Sequence, residues 1–391
     1  MISVAEASAA LLALVARGPS ETVALHAAAG RAMAGPLTAR HDQPPFAGSA
    51  MDGYAVARDV AVGDVLRVVG ESAAGHPFDG GPVGPEDAVR IFTGAPVPDG
   101  ARRVILQEDV AREGDGITVT GTSEATTHIR PAGGDFAAGA EHRSTALLGS
   151  RDIALLAAMG HAEVPVVRRP VVAILMTGDE LRAPGEALSP GQITASNGYG
   201  LAAMFEAAGA EARLLPIARD TDRSLAQAFG LAEGADLIVT IGGASVGDHD
   251  LIASVAGSAG LDLAFHKVAM RPGKPLLAGR LGSMALVGLP GNPVSAMVCG
   301  VIFILPMLRA MLGLPVETPV ARMPLAVPLG PNGLRQHYLR ATVRDGAVSP
   351  AERQDSSLLS VLRGATHLVV RPPEDPARAV GDLAETIALP D

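Results

Sequence analysis

Hydrophobic and polar positions along the chain follow three successive regimes. Residues Ile2–Ala16 place apolar side chains at helical spacing, and Ser3 with Glu6 gives the S-x-x-E pattern of a capping box, so a helix is predicted to open there. His41–Gly53 (HDQPPFAGSAMDG) has no period and contains Pro44-Pro45, which predicts an ordered loop. Short β-rich runs follow at Val65–Val69, Val89–Phe92, Val104–Gln107 and Ile117–Val119, separated by Gly and Pro turns; they predict a small β domain. Arg151–Met159 returns to a helical pattern.

The regime changes at Arg168-Arg169-Pro170, a plausible domain boundary. Val171–Met176 is a continuous apolar strand followed by Thr177-Gly-Asp-Glu180. A helix near Gly200–Ala208, a strand at Ala212–Ile217, a helix near Asp222–Ala232 and a buried strand at Asp236–Ile241 come next, the last ending in Gly242-Gly243. Leu251–Ala256 reads as helix, and Leu263–Val268 and Met284–Val287 read as strands. Asn292 as N-cap and Pro293 at the first helical position open a long helix. Its apolar run, Val294–Leu305, ends at Pro306 and Arg309 and is too short for a membrane span. Strands alternating with helices predict a parallel, doubly wound sheet with ligands at the carboxyl ends of its strands. After Gly313-Leu-Pro315 the pattern is β again. The predicted fold class is therefore multidomain α/β plus β. Residues 1–40 with 136–168 form a helical linker domain, 41–135 a small β domain, 169–313 a doubly wound domain and 314–391 a C-terminal β domain.

Composition narrows the classes. With 391 residues, 48% hydrophobic and 18% charged, the chain has ample material for several cores and is neither disordered nor a coiled coil. Its net charge of −10 argues against nucleic acid as a partner, so any anion must be held by a local cluster. The only lysines, Lys267 and Lys274, lie close together. The single cysteine, Cys299, sits in an apolar run and reads as a core thiol; one cysteine makes no internal disulfide and no zinc cluster, which fits a reducing compartment. Met1–Ser20 lacks a basic start, so a soluble, cytoplasmic protein without a membrane segment is expected.

Three constellations carry candidate chemistry. Gly242-Gly-Ala-Ser-Val-Gly-Asp248, between a buried strand and a helix, suits a phosphate cradled by backbone N–H groups; Gly242, Gly243, Ser245 and Gly247 are its ligand-facing candidates. The same segment matches the G-x-S-x-G elbow of hydrolases, which would need an acid and a histidine, His337 or His367, from another domain. Phe265–Pro275 places Lys267, Arg271 and Lys274 within eight residues, a natural partner for a polyanion. Carboxylates fall at predicted strand ends: Asp179 and Glu180, Asp220 and Asp222, Asp248 and Asp250. Beside a phosphate loop they invite Mg²⁺.

Met51-Asp-Gly-Tyr-Ala55, Phe92-Thr-Gly-Ala-Pro-Val-Pro98, Thr177-Gly-Asp-Glu-Leu181, Gly242-Gly-Ala-Ser-Val-Gly247, Arg271-Pro-Gly-Lys-Pro275 and Leu289-Pro-Gly-Asn-Pro-Val-Ser295 occur in order. With them the chain resembles, along nearly its whole length, the MoeA / gephyrin E-domain family of molybdopterin molybdenumtransferases. The resemblance implies an elongated homodimer of four-domain subunits, each with a doubly wound domain like that of MoaB and MogA. It implies insertion of molybdate into adenylated molybdopterin, with Mg²⁺ and release of AMP, and transient contact with other molybdopterin-pathway enzymes. The family's catalytic positions carry over as Asp52, Thr93, Asp135, Glu180, Asp220 and Lys274. Its ligand positions include the Gly242–Gly247 loop, Lys267, Arg271, Pro290, Asn292 and Ser356, the last in the Gln354-Asp-Ser-Ser357 loop. Glu180, Asp220 and Asp250 become the metal candidates. Arg271 stands where Lys is usual, Gly134-Asp135 replaces Glu-Asp, and Asp248 replaces a common Glu. A molybdopterin adenylyltransferase and a non-catalytic molybdopterin-binding scaffold remain as alternative readings.

Overall fold

The computed structural model describes residues 1–121, 126–242 and 251–390. The first helix, Val4–Ala13, opens with the capping box: the Glu6 carboxylate accepts the Ser3 N–H at 2.7 Å while Ser3 Oγ accepts the Glu6 N–H at 3.2 Å. Its buried face (Val4, Ala7, Leu11) packs into the core of the doubly wound domain beside Val172, Ile174 and Met307. The chain then leaves that domain. Strand Ser20–Ala24 pairs antiparallel with Glu163–Val167, and helix Ser150–Ala158 closes a small core around Ala28, Met33, Leu148 and Leu156.

Between these segments lies a six-stranded sheet in the order Arg103–Leu106, Gly53–Val56, Asp87–Ile91, Val65–Ser72, Gly116–Val119, Val110–Glu113. Val65–Ser72 alternates buried and outward positions, because a sheet presents successive side chains to opposite faces, while the inner strand Gly53–Val56 is buried throughout.

The doubly wound domain is built on the order Glu211–Leu214, Val171–Met176, Leu237–Ile241, Met284–Leu289, Pro275–Leu281, Leu261–Lys267. The first four strands are parallel. The last two are antiparallel, which corrects the expectation of a wholly parallel sheet. Pro275–Leu281 escaped the pattern because its first residue lacks an N–H and follows a Pro-Gly turn, so the segment reads as loop. Alternate residues of Val171–Met176 enter two separate cores: Val172, Ile174 and Met176 on one face, Val171, Ala173 and Leu175 on the other. Helices cover both faces, which explains why the central strands are apolar throughout.

The long helix also departs from expectation. It runs Pro293–Leu312, twenty residues, straight through Pro306. A π-helical segment, Gly300–Ile304, precedes the proline, and the Leu305 N–H bonds to the Gly300 carbonyl. The widened turn relieves the contact a proline ring makes with the preceding turn. By length and composition alone this helix could cross a membrane, but most of it is buried within the fold and it serves as a core helix.

The C-terminal sheet contains Ala321–Pro324, Gln336–Arg344, Ala347–Pro350, His367–Arg371 and Leu383–Ala388. It has a sixth member from the doubly wound domain: Met270–Arg271 pairs in parallel with Gln336 and His337. This pairing carries the basic segment onto the C-terminal domain.

Candidate functional site

Two adjoining cavities lie at the carboxyl ends of the parallel strands, where open α/β sheets bind ligands. The larger, about 610 Å³, is lined by Thr177, Glu180, Asp220, Gly242, Asn292 and Ser357 among others. The smaller, about 310 Å³, is lined by Arg271, Lys274, Arg335, Gln354, Ser356 and their neighbours. Pro275, Pro290 and Asn292 line both, so the cavities share a wall formed by the start of the core helix.

The larger cavity is acidic. Glu180 and Asp220 follow the strand end at Met176 and the short strand Glu211–Leu214. The pKa of Asp220 is raised, first by desolvation and then by the nearby charges of Asp179 and Glu180. Glu180 and Asp220 line the cavity together, and among the described residues no group of three metal-ligating side chains forms there. Gly242 adopts φ +95°, and a Cβ there would stand 2.6 Å from the Thr177 carbonyl oxygen. Only glycine fits where these two strand ends meet. Asn197 Nδ2 donates to the Gly291 carbonyl at 2.7 Å and so ties the helix Asn197–Ala207 to the shared wall.

The smaller cavity is cationic. Behind it Arg340 is fully buried; its Nη2 donates to the Asp355 carbonyl at 3.0 Å, while Nε and Nη1 have no partner among the described residues. The Gln354 side chain bonds both ways to the Arg340 backbone, at 3.0 and 2.9 Å, and the Ser356 carbonyl accepts the Val294 N–H at 3.0 Å. The loop is thereby fixed to the core helix. The His337 pKa falls to about 4 through burial, reinforced by Arg271, Arg340, Arg371 and Arg335. His337 is therefore neutral at physiological pH. Cys299 is fully buried and desolvation pushes its thiol pKa far up, as a core thiol requires.

A third group stands apart. The register Gly53↔Ile91 brings Asp52 and Thr93 together at the ends of two neighbouring inner strands. Asp52 Oδ1 accepts the Thr93 N–H and the Thr93 hydroxyl, both at 2.7 Å, and these bonds lower its pKa. Arg90 lies over the Tyr54 and Phe92 rings at 5.1 and 4.7 Å.

The structure thus gathers Glu180, Asp220, Gly242, Pro290 and Asn292 around the larger cavity, and Arg271, Lys274, Pro290, Asn292 and Ser356 around the smaller one. Lys267 is exposed and lines neither; its carbonyl accepts the Ile2 N–H. Asp52, Thr93 and the exposed Asp135 also line neither. Gly243, Ser245, Gly247, Asp248 and Asp250 lie outside the described residues. Arg335 and Arg340 escaped sequence reasoning because no local motif marks them. Their place depends on the pairing of Met270–Arg271 with a strand more than sixty residues away.

Residues 2–160 match the MoeA N-terminal region (domain I and II), and residues 173–310 match the probable molybdopterin binding domain. The molybdopterin molybdenumtransferase of Nostoc sp. is 37% identical over 308 residues, covering 75% of this chain and 70% of that one. The molybdopterin molybdenumtransferase 2 of Mycobacterium tuberculosis is 40% identical over 311 residues, covering 75% and 76%. A crystal structure of the MoeA protein from Pyrococcus horikoshii superposes with a TM-score of 0.86 at 28% identity, over the whole of both chains. Fold, cavities and matches define a multidomain protein built around a molybdopterin-type doubly wound domain. The chain belongs to the molybdopterin molybdenumtransferase (MoeA) family.

Proposed function

We propose that the chain is a transferase that inserts molybdate into adenylated molybdopterin, giving the molybdenum cofactor and AMP. The observation that carries this reading is the pair of adjoining cavities of opposite charge. A compact oxyanion such as molybdate suits the cavity of Arg271, Lys274, Arg335 and Ser356. The phosphoanhydride of an adenylated pterin suits the larger one, where carboxylates face it. Glu180 and Asp220 fit Mg²⁺, an ion held by one or two carboxylates together with substrate phosphates. Among the described residues no fuller cluster of metal-ligating side chains occurs, and Asp250 is the further candidate. Bound there, Mg²⁺ would neutralise charge on the phosphoanhydride. The chain's own part is to orient the two anions across the shared wall of Pro290 and Asn292, with Lys274 and Arg271 holding the oxyanion. The pterin's dithiolate supplies the sulfur ligands of molybdenum, so the buried Cys299 has no part in the chemistry.

The same reading makes the active form a homodimer. Every residue lining the two cavities lies between Met176 and Ser357. Asp52, Thr93 and Asp135 line neither cavity, and in this reading a second subunit supplies them. Contacts with other enzymes of the pathway and a cytoplasmic location, compatible with one free cysteine, belong to this proposal.

Lys274→Ala is expected to weaken molybdate binding by about 1.5 kcal/mol or more, roughly tenfold, as for loss of a charge-assisted hydrogen bond. Calorimetric titration checks this. Unchanged affinity would mean that the basic loop is only solvated.

A further inference from the structure

Asp52 stands just before strand Gly53–Val56, and its hydrogen bonds lead to one arginine that no motif singles out. That strand runs between Asp87–Ile91 and Arg103–Leu106, so Asp52 meets the residues that follow both neighbours. Thr93, from one side, gives its N–H and hydroxyl to Asp52 Oδ1. Gln107, from the other, donates its N–H to the Asp52 carbonyl at 3.1 Å. Among the described residues Oδ2 of Asp52 accepts no hydrogen bond, and it is the oxygen left for a ligand.

Arg90 joins these supports. Its Nη1 donates to the Gly53 carbonyl at 3.1 Å and its Nη2 to Gln107 Oε1 at 2.7 Å. The guanidinium lies over the rings of Tyr54 and Phe92, which adjoin Gly53 and Thr93 in the chain. One planar group thus touches the residue after Asp52, the residue bonded to its carbonyl and the residue before Thr93. A rigid fork with a flat face can make both bonds and both ring contacts together, whereas an ammonium cannot. Both bonds of Arg90 go to neutral oxygens, so its charge remains available to Asp52. The Asp52 carboxyl is held below its ordinary range first by the Thr93 bonds and, to a smaller extent, by Arg90. Glu108, which accepts from Gln107 Nε2 at 3.2 Å, is the acidic group adjoining this network.

We propose that Arg90 is a positioning residue for the insertion reaction: it fixes the chain on both sides of Asp52, so that the free Oδ2 is presented in one place. The assignment rests on the reading that Asp52 serves that reaction. Arg90 itself acts through Asp52 and not on the substrate.

The test uses the full-length chain and two readouts. In molybdenum insertion, Arg90→Met should lower kcat by at least about tenfold, since small misplacements of a reacting group are costly. The KM for molybdate, set in the cationic cavity, should stay within about twofold. Arg90→Lys, which keeps the charge and loses the fork, should recover only part of kcat. The second readout needs no turnover. Asp52→Cys places a thiol at the same point, and Cys299 is fully buried, so the introduced thiol is the one that reacts with iodoacetamide. Adding Arg90→Met should move its ionisation, read from alkylation rate against pH, up by about half a unit, and Arg90→Lys should bring it back. Melting temperatures verify folding. Should Arg90→Met fail to fold, Gln107→Ala, at an exposed position, removes one Arg90 anchor and should lower kcat about threefold, with a thiol shift in the same direction. Insertion or thiol ionisation that is indifferent to the loss of Arg90 overturns the assignment. A wild-type chain that inserts no molybdenum would refute the reaction itself, and the thiol titration alone would then decide whether Arg90 governs position 52.

Discussion

Asp220→Ala is expected to reduce molybdenum insertion by at least about 100-fold, the scale on which disturbing a metal site or its support acts. Asp220 lines the larger cavity with Glu180, and its pKa is raised chiefly by desolvation and then by the charges of Asp179 and Glu180. The sign of the pH dependence follows. Burial and like charges favour the protonated form, and a bound cation favours the ionised one. Mg²⁺ affinity should therefore rise with pH through the raised pKa of Asp220 and level off above it. Its decline on acidification should begin at a higher pH than for an ordinary aspartate. Asp220→Asn, close in shape but without charge, should bind Mg²⁺ weakly and lose this dependence. Calorimetry across pH reads both effects without any turnover. An Asn variant with wild-type Mg²⁺ affinity would remove Asp220 from the metal site.

The second large effect is recovery of activity from two inactive proteins. Asp52→Ala and Lys274→Ala homodimers should each be inactive. Asp52 is locked to Thr93 at the ends of two inner strands, while Lys274 sits in the cationic cavity, whose described lining runs from Arg271 onward. If Asp52 of one subunit completes the cavity of the other, mixing and re-forming dimers restores activity. Random exchange makes about half of the dimers mixed, and a two-fold dimer then carries about a quarter of all sites free of either lesion. Activity near a quarter of wild type is the expected result. If both residues served one subunit's site, every site would keep a lesion. The mixture would then stay inactive after mass spectrometry had confirmed exchange.

What the chain discloses before its structure is known depends on how local each signal is. Val171–Met176 and Leu237–Ile241 announce buried parallel strands because every residue is apolar, and both run as expected within about a residue. Ser3 and Glu6 mark a helix start through an exchange of bonds that spans three residues. Pro275–Leu281 and the passage of the helix through Pro306 were hidden because proline usually ends an element. Here one proline begins a strand and the other follows a π turn. The acidic and glycine-rich candidates were legible as motifs. Their division between two cavities of opposite charge was not. It arises from the pairing of Met270–Arg271 with Gln336–His337, which brings Arg335 and Arg340 beside the basic loop. Likewise Asp52 and Thr93 were two separate motifs until the register Gly53↔Ile91 joined them.

The central claim is that this chain carries out metal insertion, and one measurement addresses it most directly. Purified protein is incubated with adenylated molybdopterin, Mg²⁺ and molybdate, and the pterin and nucleotide are separated and quantified over time. The account predicts loss of metal-free adenylated pterin, with molybdenum-containing cofactor and AMP appearing in equal amounts and only when molybdate is present. Adenylated pterin that remains intact and metal-free, with no AMP released, would contradict it.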